Sequence, residues 1–339
     1  MLSLDGSYGE GGGQVLRTAL SLAALTGVAV RIEGIRAKRP KPGLRPQHLT
    51  AVQAVARVSQ GEVTGARLGS QALTFEPRTP QGGHYCFDVA ETTGSAGAVT
   101  LVAQALLPPL LKAESPATVI LKGGTHVPWS PPAHYLSHVF LPALASMGAE
   151  VEMTVERWGW YPRGGGEVRL SIGGSRRLTG VEWRTPAASS AFRVWSAAAN
   201  LPEHVARRQA ARVAARLGEA MPVEIIAASG QDRGSLVLVW GPRAGFSALG
   251  ARGKPAEQVA DEAVEAYLAY RASGGACDRH LADQMLIYLA LAEGPSRFTT
   301  EVVTSHLLTN VWVIEQFLGP TFQIKGGLGE PGEIFCKGR

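Results

Sequence analysis

The side chains with most chemistry to offer are a histidine ahead of an apolar helix, a glutamate within a run of glycines, and a stiff basic loop. His306 lies in TSHLLTN, where Thr304 or Ser305 can cap the helix that follows. A neutral imidazole there can attack phosphorus and carry a covalent adduct. Histidine at a helix start more often only makes hydrogen bonds, so position alone assigns it no chemistry. Glu10 stands in DGSYGEGGGQVLR, whose glycines expose backbone N–H groups that can approach phosphate closely where the loop opens a helix. A carboxylate in such a loop can share a divalent cation with phosphate oxygens. Composition alone favours a strained turn with a solvated carboxylate. IRAKRPKPGLRPQH brings Arg36, Lys38, Arg39, Lys41 and Arg45 close together, and its prolines and glycine forbid a continuous helix. A rigid basic loop suits the phosphates of a nucleic-acid end, although charge runs are commonly just solvated faces.

Other chemistries find little support. No GK[ST] follows the glycines, so there is no Walker A motif, and neither HExxH nor GxSxG occurs. The single GxGxxG, Gly327 to Gly332, has no helix after it and is a false match. Cys86, Cys277 and Cys336 lack metal-binding or disulfide spacing and read as reduced thiols. A net charge of +5 tilts only slightly towards an anionic partner. Apolar runs such as Ala98 to Leu111 are too short and interrupted to span a bilayer, and the N-terminal residues do not look like a signal peptide. The expected location is cytoplasmic.

The elements that must position these residues repeat. GEGGGQVLRTALSLAALTG, TTGSAGAVTLVAQALLPPLL and DRHLADQMLIYLALAEG each read as a turn followed by a long apolar helix with one glutamine. Gln14, Gln104 and Gln284 stand 90 and then 180 residues apart, and His48, His134 and His306, at the second helix starts, 86 and then 172 apart. β-rich stretches follow the second helix in the first two units. The pattern predicts an α+β protein of three βαβαββ units, with a further unit's length inserted in the third. The division is residues 1–182 and 276–339 as the large domain and 183–275 as a small α+β insert. Within the insert, HVARRQAARVAARLGEA and PAEQVADEAVEAYLAYRASG read as helices, PVEIIAASG and GSLVLVWG as strands. The alternative is two unrelated α+β domains and coincidental spacing.

DGSYGEGGGQVLRTALSLAALTG, IRAKRPKPGLRPQHLTA, TTGSAG with Gln104, GGTHVPWSPP, YPRGGG, HLADQ and SHLLTN together resemble the RNA 3′-terminal phosphate cyclase family, from Asp5 to about Gly319. The resemblance implies repeats like the C-terminal domain of translation initiation factor 3. It also implies closure of an RNA 3′-terminal phosphate into a 2′,3′-cyclic ester with ATP and a divalent cation, Mg²⁺ or Mn²⁺. His306 is then the nucleophile that becomes histidyl–AMP, and Glu10 the metal ligand. Gln104, Pro131, His280, Leu281, Ala282, Asp283 and Gln284 become nucleotide contacts, with Asp283 suited to the ribose. Gln14, Arg17, Arg36, Arg39 and Lys41 become contacts to triphosphate or RNA-end phosphates, where a guanidinium can bond in pairs.

Two positions depart from the family's pattern. His280 stands where members can carry tyrosine, and Trp158 where a basic residue is frequent. The family also has a non-catalytic branch, cyclase-like proteins of ribosome assembly that lack the nucleophilic histidine. The intact SHLLTN and HLADQ favour the enzyme. A third reading, an unrelated basic RNA-binding protein, rests only on charge and the basic loop. The RNA acted on, the preferred metal and the oligomeric state, a homodimer among the options, stay open.

Overall fold

The computed structural model describes residues 1–91, 94, 96–174, 177–218 and 221–339. The chain is a mixed α+β protein with several small mixed sheets. Its first part runs β1 (Leu2–Asp5), α1 (Gly13–Thr26), β2 (Val30–Glu33), α2 (Pro46–Val58), β3 (Glu62–Thr64) and β4 (Leu73–Glu76). The second runs β5 (Gly83–Asp88), α3 (Val99–Lys112) and β6 (Ala117–Gly123). Then α4 (Ala133–Tyr135) passes through a π-helical turn, Leu136–Phe140, into α5 (Leu141–Ala145), followed by β7 (Val151–Arg157) and β8 (Gly166–Ile172). After β9 (Glu182–Trp183) come β10 (Arg193–Ala199), α6 (His204–Leu217), β11 (Val223–Ala227), β12 (Gly234–Gly241), β13 (Ala244–Leu249) and α7 (Ala256–Ser273). The chain continues through α8 (Arg279–Leu291), β14 (Ser296–Thr300), α9 (Ser305–Leu318), β15 (Phe322–Lys325) and β16 (Gly332–Cys336).

Three sheets share one pairing scheme. In β1-β2-β4-β3, β5-β6-β8-β7 and β9-β14-β16-β15, the first two strands are parallel and the other neighbours antiparallel. The fourth sheet, β11-β10-β12-β13, has its own order. A single large core joins the first three through α1, α2, α3, α8 and α9. Leu16 and Leu20 of α1 are each almost wholly buried, a gain of about 2 kcal/mol apiece from apolar area alone. A separate core covers Phe192 to Tyr270. β12 is buried on both faces, which explains its continuous apolar run: Val237 and Val239 face α7, while Leu236 and Leu238 face Trp158 and Trp160.

The sequence placed β12, α6 and α7 well, although Glu219 and Ala220 at the end of the expected α6 lie outside the described residues. Gly274 closes α7 in the left-handed region, where glycine is cheapest. The insert's strands β10 and β13 were not anticipated. The equivalence of the three glutamines fails in part. Gln104 and Gln284 are each the sixth residue of their helices, but Gln14 is the second of α1, so its spacing of 90 was coincidental. Gly327 to Gly332 spans the turn between β15 and β16, as a false dinucleotide match should.

What positions the site is a clamp repeated in each part. The loop into α2 is held to the β3–β4 hairpin by Leu44 N–H to Ser70 (3.0 Å) and Gly69 N–H to Leu44 (2.9 Å). Thr125 N–H to Gly159 (3.0 Å) does the same before α4, and Val303 N–H to Glu330 (2.7 Å) before α9. Each clamp fixes where His48, His134 or His306 enters its helix.

Candidate active site

Thr304 caps α9: its hydroxyl accepts from Leu307 N–H at 3.0 Å, worth about 1 kcal/mol. Ser305, the other candidate cap, is thereby freed, and its hydroxyl donates instead to Glu10 Oε1 at 2.6 Å. The glycine run brings Glu10 there. Gly9 lies at φ +58°, and a Cβ on it would stand 2.2 Å from the Thr309 hydroxyl of α9, so only glycine lets loop and helix meet this closely. Tyr8 stacks on Trp312, with centroids 3.9 Å apart, and Thr18 of α1 donates to Asn310 Oδ1 at 2.7 Å. These contacts lock the N-terminal loop onto α9.

His306 stands between two partners. Its Nδ1 bonds Gln14 Oε1, and its Nε2 lies 3.0 Å from Glu10 Oε2. Arg39 reaches the same Glu10 oxygen at 3.2 Å. Burial pushes the imidazole below its ordinary pKa; Glu10 opposes the shift, while Arg17, His280 and Arg39 reinforce it. With the shift downward, the ring is neutral near pH 7 and keeps one proton. If that proton sits on Nδ1, donated to Gln14, the Nε2 lone pair is free.

Behind this pair lies a buried charge layer. Burial lowers the Arg17 guanidinium to about 10, offset in part by Asp283, so it stays cationic. Burial first, then Asp278, raises the Asp283 carboxyl well above the carboxylate range, against the pull of Arg17. His48 is held well below its ordinary pKa by burial and by Arg17, Arg36 and Arg45, and its Nδ1 accepts from Arg45 N–H at 3.2 Å. A Cβ on Gly13 would meet His48 Nε2 at 2.2 Å, so α1 can begin here only with glycine.

The structure therefore brings Glu10, Gln14, Arg17, Arg39, Asp283 and His306 together, with His280 among the charges felt by His306. Leu281 and Ala282 are buried in the first turn of α8, whose cap Asp278 accepts from His280 and Leu281 N–H. Gln104 Nε2 and Gln284 Oε1 are buried with no hydrogen-bond partner among the described residues. Pro131 lies on the loop before α4, and Tyr135 beyond it packs edge-on against His280 at 6.4 Å. Two basic candidates are otherwise engaged: Arg36, at φ +55°, donates to the carbonyls of Lys41 and Gly43 and so braces its own loop, while the Lys41 side chain is exposed. Thr92, Thr93 and Ser95 of TTGSAG lie outside the described residues.

Sequence reasoning missed Ser305 as a partner of Glu10, and Asn310, which joins Thr18 to the Asp283 carbonyl (3.0 Å). SHLLTN contains both residues, yet only their tertiary partners distinguish them from ordinary helix residues. Trp158, the unexpected aromatic, stacks on His126 with centroids 4.2 Å apart. Among the described residues no helix is long and apolar enough to cross a membrane, and no group of three or more His, Cys, Asp or Glu could hold a metal ion.

A family model described as RNA 3′-terminal phosphate cyclase matches residues 8–324. A protein of that name from Methylococcus capsulatus is 51% identical over 94% of this chain and 91% of its own length. One from Gloeothece citriformis is 46% identical over 94% and 93%. Among solved structures, the enolpyruvyl transferase NikO from Streptomyces tendae aligns with a TM-score of 0.42 at 12% identity, over 100% of this chain and 48% of that one.

Proposed function

This chain belongs to the RNA 3′-terminal phosphate cyclase family, and we propose that it closes an RNA 3′-terminal phosphate into a 2′,3′-cyclic ester at the expense of ATP. In this reading His306 Nε2 attacks the α-phosphorus of ATP, the bond to pyrophosphate breaks, and a histidyl–AMP phosphoramidate forms. The RNA 3′-phosphate then takes AMP from the histidine. The neighbouring 2′-OH attacks the activated phosphorus and AMP leaves. A phosphate monoester is a poor electrophile until one of its oxygens belongs to an anhydride, which is why ATP is spent.

The observation that carries the reading is the hold on His306: Gln14 at Nδ1 and Glu10 at Nε2, on a ring that burial makes neutral. A nucleophilic imidazole needs one nitrogen fixed as a donor and the other free of its proton. Gln14 supplies the first. Glu10 faces the second, which carries no proton on the neutral ring. Arg39, which reaches Glu10, and Arg17, whose charge His306 feels, are the cations proposed to stabilise charge developing on the departing pyrophosphate. The unpartnered amides of Gln104 and Gln284 are fit to hold nucleotide phosphate or ribose, alongside Asp283, Leu281, Ala282, His280 and Pro131. Arg36 and Lys41 have their place at the RNA end, where Arg36 acts mainly by shaping the loop.

Glu10 would be the carboxylate that holds a divalent cation. The remaining ligands would then be phosphate oxygens and water, the usual arrangement for magnesium. Such a cation neutralises charge on the transferring phosphoryl group. We also read the three sheets with one pairing scheme as repeats of the initiation-factor-3 type, with 183–275 as a small inserted domain.

The test incubates the protein and His306→Ala with ATP labelled at the α-phosphate, with magnesium or manganese. Acid-labile, alkali-stable label on the wild type alone is expected. No label on the wild type with either metal would overturn the mechanism in favour of the non-catalytic branch.

A further inference from the structure

Two large aromatic side chains lie open to solvent on adjoining loops. Trp129 is 95% exposed, in the left-handed region at φ +61°, and Tyr161 is 64% exposed. A bulky residue in that conformation is uncommon, and such strain collects at functional places. The two loops are tied together: Thr125 and His126 both donate N–H to the Gly159 carbonyl, at 3.0 and 2.9 Å, and His126 bridges to Trp160. Below, His126 stacks on Trp158, so the platform that carries the two exposed rings is rigid.

Beside Tyr161 opens a cleft of about 590 Å³ between this loop and the 183–275 segment, lined by Arg163, Asn200, Asp232 and Arg233 among others. Its walls are braced. Arg163 pairs with the buried Asp232 at 2.7 Å, and Asn200 Nδ2 donates to the Gly230 carbonyl at 2.8 Å. Asp232 is thereby neutralised, while Arg233 is exposed and has no hydrogen-bond or ion-pair partner among the described residues. The lining is cationic towards solvent.

Exposed aromatic faces interleaved with unpaired arginine are what a single-stranded nucleic acid uses, the rings for its bases and the guanidinium for its backbone. We infer that Trp129, Tyr161 and Arg233 form a track for the single strand of the RNA upstream of its 3′ end. This rests on the RNA-substrate reading above. The loop of Trp129 runs through Pro131 into α4, whose Tyr135 packs against His280.

The test measures binding of fluorescent RNA ending in a 3′-hydroxyl, without ATP, so that failure of cyclisation and failure of the track are read separately. A long oligonucleotide is compared with a dinucleotide. The double variant Trp129→Ala/Tyr161→Ala should raise Kd for the long RNA on the order of ten-fold and leave the dinucleotide unaffected. Trp129→Phe should retain most of the affinity. Arg233→Glu should weaken the long RNA further and flatten the salt dependence. Equal affinity of wild type and both variants for the long RNA overturns the track, and so does an equal loss for both RNAs. Loss with Arg233→Glu alone reduces it to a general polyanion surface and overturns the stacking role. All three side chains are exposed, and an unchanged melting midpoint for each variant shows that the fold is intact.

Discussion

Two histidines enter their helices in the same way and end in opposite surroundings. His134 is the second residue of α4 and His306 the second of α9, each after a loop clamped to the neighbouring hairpin. His306 meets Glu10, Gln14 and a half-open face, with its side chain 45% exposed. His134 meets His126 at 2.9 Å and the rings of Trp158 and Trp195, and burial drives its pKa down to about 3. Backbone position supplies a place for a histidine, while the side chains arriving from other parts of the chain decide whether it is half-open between Glu10 and Gln14 or buried among rings.

The widest separation between the two should come from single deletions. His306→Ala is expected to lower covalent labelling by roughly 10³-fold or more, with little change in melting midpoint. His134→Ala should do the reverse: it empties a buried aromatic site and costs about 3 kcal/mol. Labelling measured well below its melting midpoint should persist. If His134→Ala abolishes labelling while still folded, the two sites are not separable and the comparison fails.

Acid sharpens the contrast at the buried cluster. His126 and His134 stay neutral in the folded protein, His126 with its pKa well below the usual 6.5 and His134 at about 3. The unfolded chain therefore takes up more protons as pH drops through 6.5. For His134 the contribution is fully present above that pH and is lost between it and about 3, and His126 acts in the same direction. At pH 5 the loss is about 2 kcal/mol for His134. Urea unfolding of wild type and His134→Gln between pH 7 and pH 5 measures it, and the variant should lose less than the wild type.

The legible and illegible parts divide along the same line. A cap at Thr304 or Ser305, α7 with its terminal Gly274 and β12 as a strand could be read locally, because each depends on residues within a few positions. The bond between Glu10 and His306 joins residues nearly the whole chain apart, and although each stood out in its own segment, nothing local paired them. Nothing local showed that Trp158 would stack on His126, or that Arg36 would brace its own loop rather than stand free. The glutamine spacing misled for a related reason: a period read from residue type ignores helix register, and Gln14 lies four positions earlier in its helix than Gln104 or Gln284.

The smallest expected effect tests whether Glu10 tunes the His306 imidazole as well as contacting it. Burial lowers the pKa of His306 and the charge of Glu10 partly restores it. In Glu10→Gln the restoring charge is gone, while an amide can still bond Ser305. The imidazole should then titrate lower still. NMR titration of the histidine ring protons, with His306→Ala to assign the resonance, reads this without turnover. The wild-type ring should titrate below 6.5 and the Glu10→Gln ring below that. A ring that titrates higher in the variant would mean that Glu10 does not stabilise the imidazolium, and the contrast with His134 would then rest on solvent exposure alone.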